Sequence, residues 1–498
     1  MEFLSILNTS VFLIFVSLTL KLFKWLYKYY YNFQRMKNIK SLPILPFIGN
    51  VHLIKPRNEV YNQLLEIPKL FKNEPFWCNW VGTYPVIIVH NSDVVEEFFN
   101  SSKHTEKAWQ YNLVHPWLGT GLLTSHGEKW YTRRRLLTPA FHFDILEKFR
   151  EIFNNHAEGL VQKFEDMYRD KKPVELYKEI RHCTLQVIAE TAMGVTLESQ
   201  INFNSDYVLA VERASKLLND RFNSPWQWWD PLYHLMPSGK EFKKCLGILH
   251  TFTRNVILKR DSEFDDVDFE SKNKIAFLDI LLKAKRDNPN MTFQDIQEEV
   301  DTFMFEGHDT TASGLFWTIL LIAEHPHVQE KLQLEIDQFF GQSRRSLTSD
   351  DLRNLKYLDC VIKESLRLYP PVPFVGRTIS EDCVIGGHRL EKYDPILIGI
   401  CTIHRDERYF PEPEKFDPDR FASDKVTDKH PYSFIPFSAG RRNCIGQKFA
   451  QNELKIVLAY LVRSFKISCE TKLKDIIQVG ELTLHPVNDV KVLFEPRF

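Results

Sequence analysis

Cys444 lies in the segment Pro436-Phe437-Ser438-Ala439-Gly440-Arg441-Arg442-Asn443-Cys444-Ile445-Gly446, a glycine-punctuated loop that opens into a helical pattern. From Gln447 to Phe465 apolar residues recur at Phe449, Leu454, Val457, Leu458, Leu461 and Phe465, which predicts a helix with the cysteine at its N-terminus. Backbone N–H groups and the helix dipole there favour a thiolate, the form of cysteine that binds metal. Gly440 and Gly446 remove side chains where a flat macrocycle would lie against backbone. Arg442, two residues before the cysteine, offers a fork of donors for a carboxylate. The chemistry suggested is that of a metal held by one thiolate inside a ring with carboxylate arms.

The pattern Phe-x-x-Gly-x-Arg-x-Cys-x-Gly is matched in full by Phe437, Gly440, Arg442, Cys444 and Gly446. It resembles the haem-binding loop of the cytochrome P-450 superfamily of haem-thiolate monooxygenases. The resemblance implies Cys444 as axial ligand to the iron of haem b, and a mainly α fold with a small β region. A single thiolate on haem iron pushes electron density toward the opposite ligand and favours O–O cleavage, so the implied reaction class is O2 activation.

Other elements must bring partners to that cysteine. Trp130 and Arg134 share one helical face at i, i+4, where an indole N–H and a guanidinium could both reach a haem propionate, while Arg133 and Arg135 point elsewhere. A long helix is expected from about Phe293 to His325, starting near Thr292 and stopping before Pro326. Its centre, Phe305-Glu306-Gly307-His308-Asp309-Thr310-Thr311, is poor helix material, a local conflict of the kind that marks function. Glu306 and Thr310 share a face, and Gly307 lets a flat ligand approach the backbone. This segment is similar to the family's Gly-x-Asp-Thr oxygen-binding groove, which gives Thr310 and Asp309 the delivery of protons during O2 activation. Glu299 to Thr311, with Glu306 before the glycine, resembles the fourth family, the fatty-acid ω-hydroxylase group, in which that glutamate can form an ester with a haem methyl. His308 lies off this face and is given no ligand role.

Glu364 and Arg367 resemble, together with Arg420 in Phe416-Asp417-Pro418-Asp419-Arg420-Phe421, the family's Glu/Arg/Arg network that holds the loop leading to Cys444. By the same resemblance Arg377 joins Trp130, Arg134 and Arg442 as a propionate partner, and Val372, Phe374 and Val375 edge the substrate pocket. The aromatic, proline-broken stretch Trp226 to Met236 would lie over that pocket near the membrane, with core packing as the competing reading.

The whole chain bounds these readings. Its 498 residues show no Gly/Ser linker or repeat, so one large catalytic domain is expected over 51–498. Formal charge is -1 with a pI of about 7.0, which gives no reason to expect nucleic acid. Eight scattered cysteines without a Cys-x-x-Cys pair argue against a disulfide framework or zinc ribbon. Phe3 to Leu20 carries no charge and would span roughly 27 Å as a helix, about a hydrocarbon core. Basic residues follow rather than precede it, so a signal anchor over 1–20 is expected, with the body cytosolic at the endoplasmic reticulum membrane. Residues 21–50, basic and then rich in proline around Leu42 to Asn50, read as a linker. Val81 to His90 reads as a strand and Asp93 to Asn100 as a helix.

No Rossmann fingerprint follows a strand, so electrons must come from a partner. The resemblance implies an NADPH-dependent flavin reductase, with cytochrome b5 as a second donor. Lys129, Arg133, Arg135, Arg441, Lys448 and Lys455 would form the basic face that meets it. A lipophilic substrate, with a fatty acid favoured, completes the expectation. The rivals are a haem-thiolate isomerase or dehydratase that does not use O2, against which the Asp309-Thr310 pair argues, and a non-catalytic haem binder.

Overall fold

A computed structural model describes residues 2–197, 201–264, 276–422 and 429–498, with the side chains of 2–8 and 201–205 outside the described set. Helices dominate, and the largest apolar cluster is organised around one of them, Phe293–Glu324. Thr292 caps its start: the Thr292 hydroxyl accepts from the Asp295 N–H at 3.2 Å, and the Asp295 carboxylate accepts from the Thr292 N–H at 3.0 Å. Pro326 begins the next helix, Pro326–Phe340, because its ring cannot continue the preceding one. Between these ends nearly every residue from Ile296 to Ile322 is buried, polar residues such as Glu299, Asp301 and Asp309 included. The weak centre stays helical: packing against Leu176–Thr191, Pro237–Ser262 and Gln447–Ser464 overrides its poor propensity.

The expected helices at Gln447–Ser464 and Ser92–Asn100 are present within a residue of their predicted ends. The strand expected over Val81 to His90 is the second arm of a hairpin. Phe76–Val81 pairs antiparallel with Tyr84–Val89 across a turn in which Gly82 takes φ +64°. Phe76–Val81 is buried on both faces apart from Asn79 and Val81, so it shows no alternation by which to read it. Tyr84–Val89 pairs parallel with Pro395–Gly399, which pairs antiparallel with Phe374–Thr378. Arg377 sits in that last strand.

The N-terminal helix runs from Glu2 to Met36, through the expected span and on through much of the stretch read as linker. Thr9–Met36 is long and apolar enough to cross a membrane by length and composition. Its C-terminal end packs on the body: Arg35 forks onto Asp394, the Tyr31 hydroxyl donates to Glu391 at 2.6 Å, and Tyr29 meets Trp80 edge-on. The proline connector is pinned too, by the Asn50 amide donating to the Leu42 and Pro43 carbonyls. Downstream, Pro225, Pro231 and Pro237 break the aromatic stretch into a short turn and two helices, leaving Trp226 and Trp229 exposed.

Candidate active site

The cysteine loop is closed by its own backbone. The Cys444 N–H donates to the Phe437 carbonyl at 2.9 Å and the Asn443 N–H to the Gly440 carbonyl at 3.2 Å. Two left-handed residues, Ser438 at φ +59° and Gly440 at φ +69°, turn the chain between them. A Cβ on Gly440 would also stand 3.2 Å from Phe99, so this glycine serves the turn and a close approach to Phe99 rather than contact with a flat ligand. At Gly446 a Cβ would lie 3.9 Å from the Cys444 Sγ, and this glycine does line the site.

Cys444 opens into a cavity of about 230 Å³. Trp130, Arg134, Glu306, Gly307, Thr310, Arg377, Phe437 and Arg442 line the same space. Nine of the ten residues singled out in the sequence therefore converge, and Asp309 alone does not. Leu122, Ile188, Phe303, Val372, Val375 and Ile400 make the walls apolar, whereas Phe374, expected at the edge, is not among the lining residues.

Burial pushes the Cys444 thiol up to about 12, and the Gly446 N–H and Arg134 only partly offset it. A coordinating metal deprotonates a bound thiol outright.

Arg134 lines the cavity with no ion-pair partner among the described residues and also braces the loop, its guanidinium donating to the Asn443 carbonyl at 2.8 Å and side chain at 2.9 Å. Arg377, Arg442 and Lys107, the last missed in the sequence, line the cavity without an ion-pair partner among the described residues. Arg442 stacks over Trp130 at 4.4 Å and donates to the Leu122 and Leu123 carbonyls, but its buried Nε has no partner. Burial and the neighbouring Arg377 push Arg442 down to about 9. A thiol, apolar walls and unpaired buried cations fit a flat, metal-bearing macrocycle with two carboxylate arms.

On the long helix the Thr310 hydroxyl donates to the Glu306 carbonyl at 2.6 Å. Burial pushes the Glu306 carboxyl up to about 7, against the pull of Lys107 and Arg134. Gly307 lines the cavity and has a second reason beside the one expected: a Cβ there would stand 2.5 Å from Ile188, so the glycine also lets the Leu176–Thr191 helix pack close. Asp309 faces away from the cavity, 3.4 Å from Arg181 and accepting from the Thr483 hydroxyl at 2.5 Å. Burial would raise its carboxyl, but Arg181, His308 and Thr483 outweigh it and hold it below the usual range. His308 is buried, its Nδ1 within 2.7 Å of the Met304 carbonyl, and reaches no ligand position.

Behind the loop, Arg367 forks onto Glu364 at 2.7 and 2.9 Å, both fully buried, and Arg420 approaches Glu364 at 3.4 Å. The expected basic face is smaller than six residues. Arg133 is buried against Asp295, Lys129 pairs with Glu298 and Lys455 with Asp359, which leaves Arg135, Arg441 and Lys448 exposed.

Residues 40–492 match the family model described as cytochrome P450. The chain is 41% identical over 502 residues to cytochrome P450 4V2 of Mus musculus, covering 98% of this chain and 95% of that protein. It is 37% identical over 495 residues to cytochrome P450 4c3 of Drosophila melanogaster, covering 94% and 92%. With cytochrome P450 4c21 of Blattella germanica it shares 36% over 499 residues, covering 97% and 99%. The cysteine loop, the cavity it opens into and these matches place the chain in the cytochrome P450 family, as a monooxygenase whose haem iron is held by a cysteine thiolate and which takes electrons from redox partners.

Proposed function

We propose that the protein hydroxylates the terminal carbon of a fatty acid or related lipid, with Cys444 as the iron ligand and Glu306 as a tether between haem and the long helix. A thiolate-ligated haem supplies activation of O2 for insertion of one oxygen atom into a C–H bond. The chain's own residues do the rest. Arg377 and Arg442 bind propionates beside Trp130, Phe437 holds the cysteine loop through its carbonyl, and the apolar walls take the alkyl chain and exclude water. Thr310 orders proton delivery from the cavity side. Asp309, held as a carboxylate behind the helix by Arg181 and the Thr483 hydroxyl, orients the groove segment from that side. Arg135, Arg441 and Lys448 meet an acidic flavin reductase or cytochrome b5, and the N-terminal helix holds the body on the cytosolic face of the endoplasmic reticulum.

The observation that carries the terminal position is Glu306, a half-buried carboxyl in the wall of the cavity that Cys444 lines. Terminal C–H bonds are stronger than internal ones, so attack there needs a fixed, narrow approach, and positioning alone can supply several kcal/mol. With a long-chain fatty acid, part of the haem should resist acid–organic extraction after turnover. Glu306→Ala should release it and move the product from the terminal carbon inward. Complete extraction from the unmodified enzyme after many turnovers would sink the tether, and an unchanged product ratio would sink its steering role.

Thr310→Ala should retain haem but divert reducing equivalents to peroxide, by roughly tenfold or more, the scale of a lost proton-transfer group. NADPH consumed per product formed reads this out. Unchanged coupling would remove the hydroxyl from the proton path.

A further inference from the structure

Lys107 belongs to no motif, yet the fold builds a place for it. The Thr378 N–H donates to the Glu106 carbonyl at 2.9 Å and the Thr378 hydroxyl to the Lys107 carbonyl at 3.1 Å. These bonds fix the lysine beside the strand that carries Arg377. Gly376 permits the approach, because a Cβ there would come within 3.0 Å of Ala108 and 3.2 Å of Tyr111. Lys107 is only 7% exposed, its Nζ lies 4.6 Å over the Tyr111 ring, and it lines the cavity with no ion-pair partner among the described residues. Burial, then Arg377 and Arg442, push its pKa well below the usual lysine value, and only Glu306 pulls the other way.

A buried ammonium is a strongly hydrated charge that costs heavily to strip of water, and two neighbouring guanidinium groups make the cost larger. Such a corner is stable when a ligand brings anionic oxygen into it. Arg134, which the motif suggests for this task, lines the same cavity and also donates to Asn443. We propose, resting on the haem-thiolate reading above, that Lys107 binds a haem propionate and completes with Arg377 and Arg442 the corner that receives the two carboxylates.

Lys107→Met keeps most of the apolar stem and removes the charge, whereas Lys107→Arg restores it. Haem transfer from full-length holoprotein to apomyoglobin, followed before any turnover, should be roughly tenfold faster in Lys107→Met, the scale of a lost charge-assisted hydrogen bond. The haem midpoint potential should fall, since a cation that stabilises the reduced side has gone, and Lys107→Arg should return both readouts toward the unmodified values. Retention and potential unchanged in Lys107→Met would overturn the assignment. So would an effect that vanishes in a Glu306→Gln background, which would make the lysine a partner of Glu306 instead. If Lys107→Met does not fold, Lys107→Gln carries the same comparison. All variants should keep the thiolate-type CO spectrum, so failure here is distinguishable from failure of the Cys444 reading.

Discussion

Cys444→Ala is expected to leave a folded chain that holds haem poorly and turns over no substrate. The Cys444 N–H, not its side chain, closes the loop onto the Phe437 carbonyl, and alanine keeps that bond. Beyond the Gly446 N–H beside it, the Sγ faces the cavity. Far-UV circular dichroism should therefore be unchanged while haem per polypeptide drops and product formation falls to background. Near-normal turnover in the variant would remove Cys444 from the iron.

The second large effect is one of stability. Arg367→Ala removes one half of a fully buried pair whose guanidinium also donates to the carbonyls of His404, Pro413 and Lys415 at 3.0, 2.7 and 3.2 Å. Glu364 would remain buried, accepting only from the Asp417 N–H at 2.9 Å and facing Arg420 at 3.4 Å. Breaking a buried pair from one side costs about 3–5 kcal/mol, a large share of the 5–15 kcal/mol that holds a typical domain together. Arg367→Lys should recover little, because an ammonium cannot reproduce the fork that reaches Glu364 and three carbonyls together. Chemical denaturation of the holoprotein measures this, and a loss below about 1 kcal/mol would mean that the network does not hold the loop.

Much of this site was legible in the sequence because its parts are local. The cysteine loop, the Thr292 cap with Asp295 and the helix from Gln447 each depend on residues within a few positions of one another, where spacing carries the information. What stayed hidden depends on distant chain segments meeting. Lys107 matters because Thr378 pins it beside Arg377, some 270 residues away. Arg133, read as a surface charge, is buried because Asp295 lies across from it. Gly307 has a packing reason that its neighbours in sequence do not show, because Ile188 stands where its Cβ would be. Asp309 stands next to Thr310 in the chain, yet the helix turns it toward Arg181 and Thr483. The first hairpin strand was missed because burial on both faces erased its alternation.

The assignment of Cys444 as the iron ligand is tested most directly by the spectrum of the reduced protein under CO, recorded for the full-length chain and for Cys444→Ala side by side. The unmodified protein should show the red-shifted Soret band of a thiolate-ligated haem and the variant should not; the same band persisting in Cys444→Ala would contradict it.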